Sequence, residues 1–399
     1  MVKQRIIMLL ALWLWVGICL AQQSFVVEGQ VDDYKQGMMV RLFRLEGNVG
    51  SCIAWDTLHD GRFRLEVPVD SGKVVELDLI TSEGTLYSSS IFLWATAGTH
   101  IMTKGKALMN ETWLVESDMP QQQSYLAFRK GREMLMDQRQ RLMLENRRLK
   151  QEFSRLRSGL SGEELLATRD LFKGKSDSID RLVDAIRLKE DSIVLQIMET
   201  HPVDRIYLMQ LKSLALGAKL MPDHPYREAI IQHYEALTAA DKQSELGQAI
   251  QAYLYPPVEV KEGEEMADAD LYDLEGRLHH LSELKGRYLL LDFWSMGCGP
   301  CIAALPEMGE LHQQYADRLT IVSVSIDTKA NWEKASKDHS ISWLNWSDLR
   351  GDHGLYARYG GKGIPYYVLL SPEGKILSTW MGYGKGSLKG KLQQLQIIQ

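Results

Sequence analysis

The chain has 399 residues, 45% of them hydrophobic and 25% charged, with a formal net charge of −6. That length exceeds what one compact core holds, so two or three domains are expected. The composition is that of a globular protein, and the acidic balance gives no electrostatic footprint for nucleic acid.

The N-terminus reads MVKQRIIMLLALWLWVGICLAQQ. Lys3 and Arg5 precede an apolar run from Ile6 to Leu20, and Cys19-Leu20-Ala21 supplies small residues for a cleavage site. The pattern predicts a secretory signal peptide over 1–21, hence a periplasmic or cell-envelope protein. The run falls short of the roughly 20 apolar residues that span a bilayer, which ranks an uncleaved anchor below cleavage. Lipidation at Cys19 also ranks below it, because Ile18 is not small. Cleavage leaves Cys52, Cys298 and Cys301, which is no disulfide framework.

Residues 22–118 read as an antiparallel β-sandwich. Phe25 to Val31, Met39 to Leu45, Arg62 to Val67 and Val74 to Ile80 alternate or carry strand composition, and Asp60-Gly61 marks a turn. Cys52 is expected there as a free buried cysteine.

Residues 119–256 read as helical. Phe128, Leu135, Leu142, Leu149 and Leu156 form one heptad stripe; Leu165, Phe172, Ile179, Ile186 and Ile193 form a second. A Ser158–Gly162 break and a capping box at Ser161 and Glu164 separate them. The first arm is basic and the second acidic, which favours an antiparallel helical hairpin with arms of about 35 residues, roughly 50 Å each. Arg132, Arg139 and Asn146 at its second core position predict a narrow seam. A spacer packed on its neighbours is the expected role, and a dimer through the hairpin is the alternative. The acidic stretch from Glu259 to Asp270 reads as a linker.

In 257–399 the chemistry is concentrated. Leu289-Leu290-Leu291-Asp292-Phe293-Trp294 has the length and apolarity of a buried strand. Cys298-Gly299-Pro300-Cys301 follows, and Ile302, Leu305, Met308, Leu311 and Tyr315 then recur at helical spacing. The first cysteine so falls at a helix N-terminus, where free N–H groups and the macrodipole favour a thiolate. Pro300 suits the first turn, which loses no hydrogen bond to it. A zinc site needs four ligands, and no second C-x-x-C or His pair offers them; His279, His280 and His312 are scattered and expected to be solvated. A structural disulfide at this spacing constrains little of the unfolded chain. A redox dithiol without metal or cofactor is the expectation.

Asp292-Phe293-Trp294 with the C-G-P-C resembles the thioredoxin family. Gly286 to Leu291, Leu271 to Arg277 and Leu281 to Leu284 resemble the strand and leading hairpin of its TlpA/ResA-like envelope subgroup. Pro306 matches the family's helix proline, and Gly363-Ile364-Pro365 its cis-proline loop. The resemblance implies a C-terminal α/β thioredoxin fold and a protein-disulfide oxidoreductase. Cys298 would be the nucleophile, Cys301 the resolving thiol and Asp292 the buried proton acceptor; Trp294, Gly299, Pro300, Ile364 and Pro365 would meet the client. It also implies a disulfide-bearing envelope client and a membrane-bound thiol electron donor, with Gly-Pro between the cysteines resembling reducing members. The chain departs from the family at Gly297, where Trp is usual, at Ala304, where the subgroup often has Glu, and at Tyr366, where Thr is usual. Two rivals stand beside this reading. One is a peroxidase of the alkyl-hydroperoxide-reductase type, though the Pro and Thr/Ser pattern before its cysteine is missing here. The other is a binding or assembly protein with a subsidiary redox domain.

Overall fold

The computed structural model describes residues 23–46, 49–70 and 72–398. The expected signal peptide and Cys19 lie outside the described residues.

The first region is built on strand alternation. Strands β1 (Ser24–Asp32), β2 (Met39–Glu46), β3 (Val49–Thr57), β4 (Arg62–Pro68), β5 (Val75–Glu83), β6 (Leu86–Tyr87), β7 (Ile91–Ala95), β8 (His100–Lys106) and β9 (Leu114–Glu116) form two sheets. One is ordered β4-β1-β8-β9; the other is β3-β2-β5-β6, with β7 also on β5. In β4, Phe63, Leu65 and Val67 point inward and Arg62, Arg64 and Glu66 outward. They join Phe25, Val27, Leu42, Leu77, Leu79, Leu93 and Trp113 in one core. Pairing is antiparallel as expected, except that β1 runs parallel to β8. Cys52 is a correction: it is exposed and free. Ala54 packs on the core, but the register slips between Leu42 and Phe43 and sets Cys52 opposite Phe43, so the next side chain of that parity no longer follows Ala54 inward.

The second region comprises α1 (Pro120–Arg129), α2 (Glu133–Leu156), α3 (Gly162–Met198), α4 (Arg205–Leu220), α5 (Arg227–Glu235), α6 (Ala239–Gln243) and α7 (Glu245–Leu254). The expected first arm is shorter than read, because Gly131 at φ 81° breaks it between α1 and α2. Helices α2 and α3 do pair as a hairpin. On α3, Ile179 and Ile186 of the stripe are buried, with Val183 beside them. On α2 the buried residues are Met136, Gln140 and Asn146, and Leu156 is exposed. The seam is polar and partly satisfied, with Arg132 Nε and Gln140 Nε2 left without a partner. Arg139 pairs with Glu111 at 2.5 Å and Glu190 at 2.6 Å, and Asn146 donates to Asp180 at 2.7 Å. Ser161 is the N-cap of α3, but its side chain makes no capping bond.

The third region is α/β. The elements are β10 (Leu271–Tyr272), β11 (Leu278–His279), β12 (Tyr288–Trp294), α8 (Gly299–Tyr315), β13 (Leu319–Ser325), α9 (Lys329–His339), β14 (Leu344–Trp346), α10 (Leu355–Arg358), β15 (Tyr366–Leu370), β16 (Ile376–Met381) and α11 (Ser387–Gln394). The sheet runs β14-β13-β12-β15-β16, with β12, β13 and β14 parallel and β15 and β16 antiparallel. The acidic stretch before it is not a free linker. Its main chain is strapped down, Val260 N–H to Arg358, Gly263 to Ile376 and Met266 to Gly374, each at 2.8 Å, and Ala267 is buried. His279 is not solvated either: it stacks on Trp346 at 4.7 Å and bonds Asp273. Tyr253 of α7 donates to Asp352 at 3.2 Å, tying the helical region to the loop after β14.

Candidate active site

Strand β12 is buried from Leu289 to Trp294 because it is central, with β13 on one side and β15 on the other. Leu289, Leu291 and Phe293 face one layer with Tyr356 and Tyr359; Leu290 faces Ala304 and Met308 of α8. Asp292 shares the face of Leu290. It is 2% exposed. One carboxylate oxygen accepts the Ser323 hydroxyl at 2.9 Å; the other, Oδ1, has no partner. Burial pushes this carboxyl up to about 7, against the pull of the Ser323 bond.

The turn leaving β12 is held from the neighbouring strand's end. Asp327, itself buried, accepts the Ser295 hydroxyl at 2.7 Å and the Met296 amide at 2.7 Å. Ser295 in turn accepts the Cys298 amide on its carbonyl at 3.1 Å. Cys298 is thereby set as the N-cap of α8, its sulfur accepting the Cys301 amide at 3.2 Å, with Pro300 in the first turn and Pro306 inside the helix. The two cysteines form a disulfide with Cα atoms 5.2 Å apart. Cys298 is half-buried and Cys301 is 2% exposed, so an attacking group meets Cys298 first.

The other expected residues gather here unequally. Gly299 and Pro300 are exposed beside Cys298. The Ile364–Pro365 peptide is cis, and Ile364 packs in the same apolar cluster as Cys298, Cys301, Trp332 and Met296. Trp294 is fully buried in that cluster, behind the disulfide rather than on a client-facing surface. Tyr366 turns inward, donating to the Tyr359 carbonyl at 2.9 Å. Two residues escaped the sequence reading. Asp327 is one; the signal was a Ser-x-Asp at a strand end, Ser325-Ile326-Asp327, but its partners lie about thirty positions upstream. Met381 is the other: it is 60% exposed, and its sulfur lies where a Cβ on Gly363 would be only 2.6 Å away, so it borders the cis-proline loop.

A family model described as thioredoxin-like matches residues 286–376. The thioredoxin-like protein YneN of Bacillus subtilis is 30% identical over 133 residues, covering 33% of this chain and 78% of that protein. The thiol-disulfide oxidoreductase ResA of Geobacillus thermodenitrificans is 33% identical over 137 residues, 34% of this chain and 78% of that one. Among solved structures, the thioredoxin domain of a thiol-disulfide oxidoreductase from Bacteroides vulgatus is 27% identical, with a TM-score of 0.32, over 34% of this chain and 99% of the other. With its dithiol at the turn from central strand to helix, and with relatives that share this third of its length, the chain belongs to the thioredoxin superfamily, its C-terminal part being a disulfide-oxidoreductase domain similar to YneN and ResA.

Proposed function

We propose that the protein is an exported thiol:disulfide oxidoreductase of the bacterial envelope that reduces disulfides in client proteins. The observation that carries this is the pairing of a reachable Cys298 at a helix N-terminus with a buried Cys301, beside a cis-proline loop. In the reduced protein, the Cys298 thiolate attacks a client disulfide, and one client sulfur leaves with the electron pair. The extended main chain at Ile364-Pro365 aligns the client strand. Cys301 then loses its proton to Asp292 and attacks the Cys298 sulfur. The Cys298–Cys301 disulfide forms, and the second client sulfur leaves as a thiolate that takes its proton from solvent. Asp292 fits this part because a buried carboxyl near neutrality both takes and returns a proton at working pH. A membrane-bound thiol donor restores the dithiol.

The test is single-turnover reduction of insulin by the pre-reduced mature protein. Cys298→Ser abolishes it, and Cys301→Ser accumulates a mixed disulfide on Cys298. Full insulin reduction by Cys298→Ser removes the assignment. A reduction potential near −270 mV supports reduction as the working direction, and one near −120 mV reverses it.

A further inference from the structure

The oxidoreductase reading above leaves one question. A folded client seated on Cys298 and the cis-proline loop covers the front of the site, yet Cys301 must still exchange a proton. The rear of the site holds a row of polar groups that the dithiol chemistry does not use.

Tyr367 is the direct cross-strand neighbour of Asp292 on β15. Side chains so paired lie on one face, their Cβ atoms about 5 Å apart. Tyr367 is fully buried, and its hydroxyl has no partner, just as Asp292 Oδ1 has none. Two unpartnered polar atoms on neighbouring buried residues are costly unless they serve each other, directly or through a water. The ring is held by Trp380, its own cross-strand neighbour, at 5.4 Å between centroids. It packs in one cluster with Leu290, Ala304, Met308 and the half-buried Tyr383. Tyr383 in turn donates to Glu307 of α8 at 2.9 Å. Glu307 is fixed by the Gly386 and Lys389 amides at the start of α11, each at 2.8 Å. The acids and phenols grouped around the Tyr367 ring are therefore Asp292 from β12, Glu307 from α8 and Tyr383 from the turn before α11. Burial above all, and then the charges of Asp292, Tyr383 and Glu307, oppose ionisation of Tyr367.

We propose that Tyr367 relays the proton between Asp292 and solvent at Tyr383, so that Cys301 is deprotonated through the back of the domain while a client occupies the front. The balance is simple. Asp292 takes the Cys301 proton, and the Cys301 thiolate forms the S–S bond as the client sulfur leaves with its electron pair. The Asp292 proton passes to the Tyr367 oxygen, through a bridging water, as Tyr367 gives up its own toward the Tyr383 oxygen. Tyr383 receives it as it passes its own proton along the hydrogen bond to the Glu307 carboxylate, so neither phenol is left charged. The proton then enters solvent, and the departing client thiolate takes one from solvent.

The experiment compares a small disulfide with a protein one. Pre-reduced wild type, Tyr367→Phe and Tyr383→Phe react in single turnover with 5,5′-dithiobis(2-nitrobenzoate), which leaves the front open, and with insulin, which covers it. Tyr367→Phe removes a hydroxyl that bonds no protein group, so its melting temperature changes little. Its insulin rate falls about tenfold more than its rate with the small disulfide, less than the roughly hundredfold of a group that meets the reacting atom, because Tyr367 acts through Asp292. The solvent deuterium isotope effect on the insulin rate rises with it. Tyr383→Phe shows the same selectivity to a smaller degree, which keeps the test decisive should Tyr367→Phe fold poorly. Equal falls with both substrates, or no fall with insulin, overturn the relay. Wild type inert toward both substrates overturns the oxidoreductase reading itself.

Discussion

Asp292→Asn isolates the cost of carrying a buried acid under the dithiol. The carboxyl titrates near 7 in the folded protein against an ordinary 3.8, because it is out of water and keeps one oxygen without a partner. The folded chain therefore binds this proton more tightly than the unfolded chain. Below about pH 4 both states are protonated and nothing is lost. Between about pH 4 and pH 7 the folded state stays neutral while the unfolded state ionises, so stability falls as pH rises. Above pH 7 the full cost stands, roughly 4 kcal/mol. Asparagine has no charge to bury. Its amide does put N–H groups where the bare oxygen was, a penalty of about 1–3 kcal/mol that does not depend on pH. By pH 5 the wild type has already lost about 1.7 kcal/mol, so the two proteins lie within about 1 kcal/mol of each other there, and at pH 8 the variant is the more stable by roughly 1–3 kcal/mol. Hydrogen exchange read by mass spectrometry on peptides spanning β12 in the oxidised protein measures this locally. The expected result is a rise in the variant's protection relative to wild type between the two pH values, by roughly 2–3 kcal/mol. A difference between variant and wild type that is the same at pH 5 and pH 8 refutes the buried-acid argument.

Asp327→Ala strips the acceptor from the Ser295 hydroxyl and the Met296 amide, leaving the Cys298 turn unheld. We expect a loss of about 2–4 kcal/mol, from two charge-assisted bonds, and slower insulin reduction, read by melting and by single turnover. Arg139→Met leaves Glu190, 4% exposed, without its cation. That costs about 3–5 kcal/mol in thermal or denaturant unfolding, and adding Glu190→Gln recovers part of it. In the mature oxidised protein, Cys52 takes up one equivalent of a maleimide without denaturant, because it is the exposed thiol beside a closed disulfide. Labelling only after unfolding would contradict the register slip in β3.

The site was legible where its logic is local. A six-residue apolar strand, a C-x-x-C and a helical spacing of Ile302, Leu305 and Met308 lie within twenty residues, and each names its neighbour's structure. Asp327 was not legible, because the groups it holds sit one crossover away and nothing at Asp327 itself announces them. Tyr367 was invisible for the same reason: only the antiparallel return of β15 brings it to Asp292. In the helical region, periodicity found α3 but misjudged α2. An arginine at a core position reads as a defect until the fold supplies Glu111 from outside the hairpin. Cys52 was misread through a single slip in strand pairing, which inverts the face of a side chain without changing its neighbours in sequence. The acidic stretch failed differently. Hydrophobic pattern measures side chains, and that segment is fastened by its main chain.

That fastening governs how far the dithiol can travel. A domain on a flexible tether of a dozen residues sweeps a volume and meets a neighbour-bound client at a concentration set by chain length. Here the connecting chain runs pinned across the domain from Val260 to Met266, and Tyr253 grips the loop after β14 from the other side. The redox centre rides at a set distance and angle from the helical region instead of fishing on a line. Under the proposed function, a client held by the β or helical parts would carry its disulfide at the matching span, and those parts would act as a ruler and not as a leash.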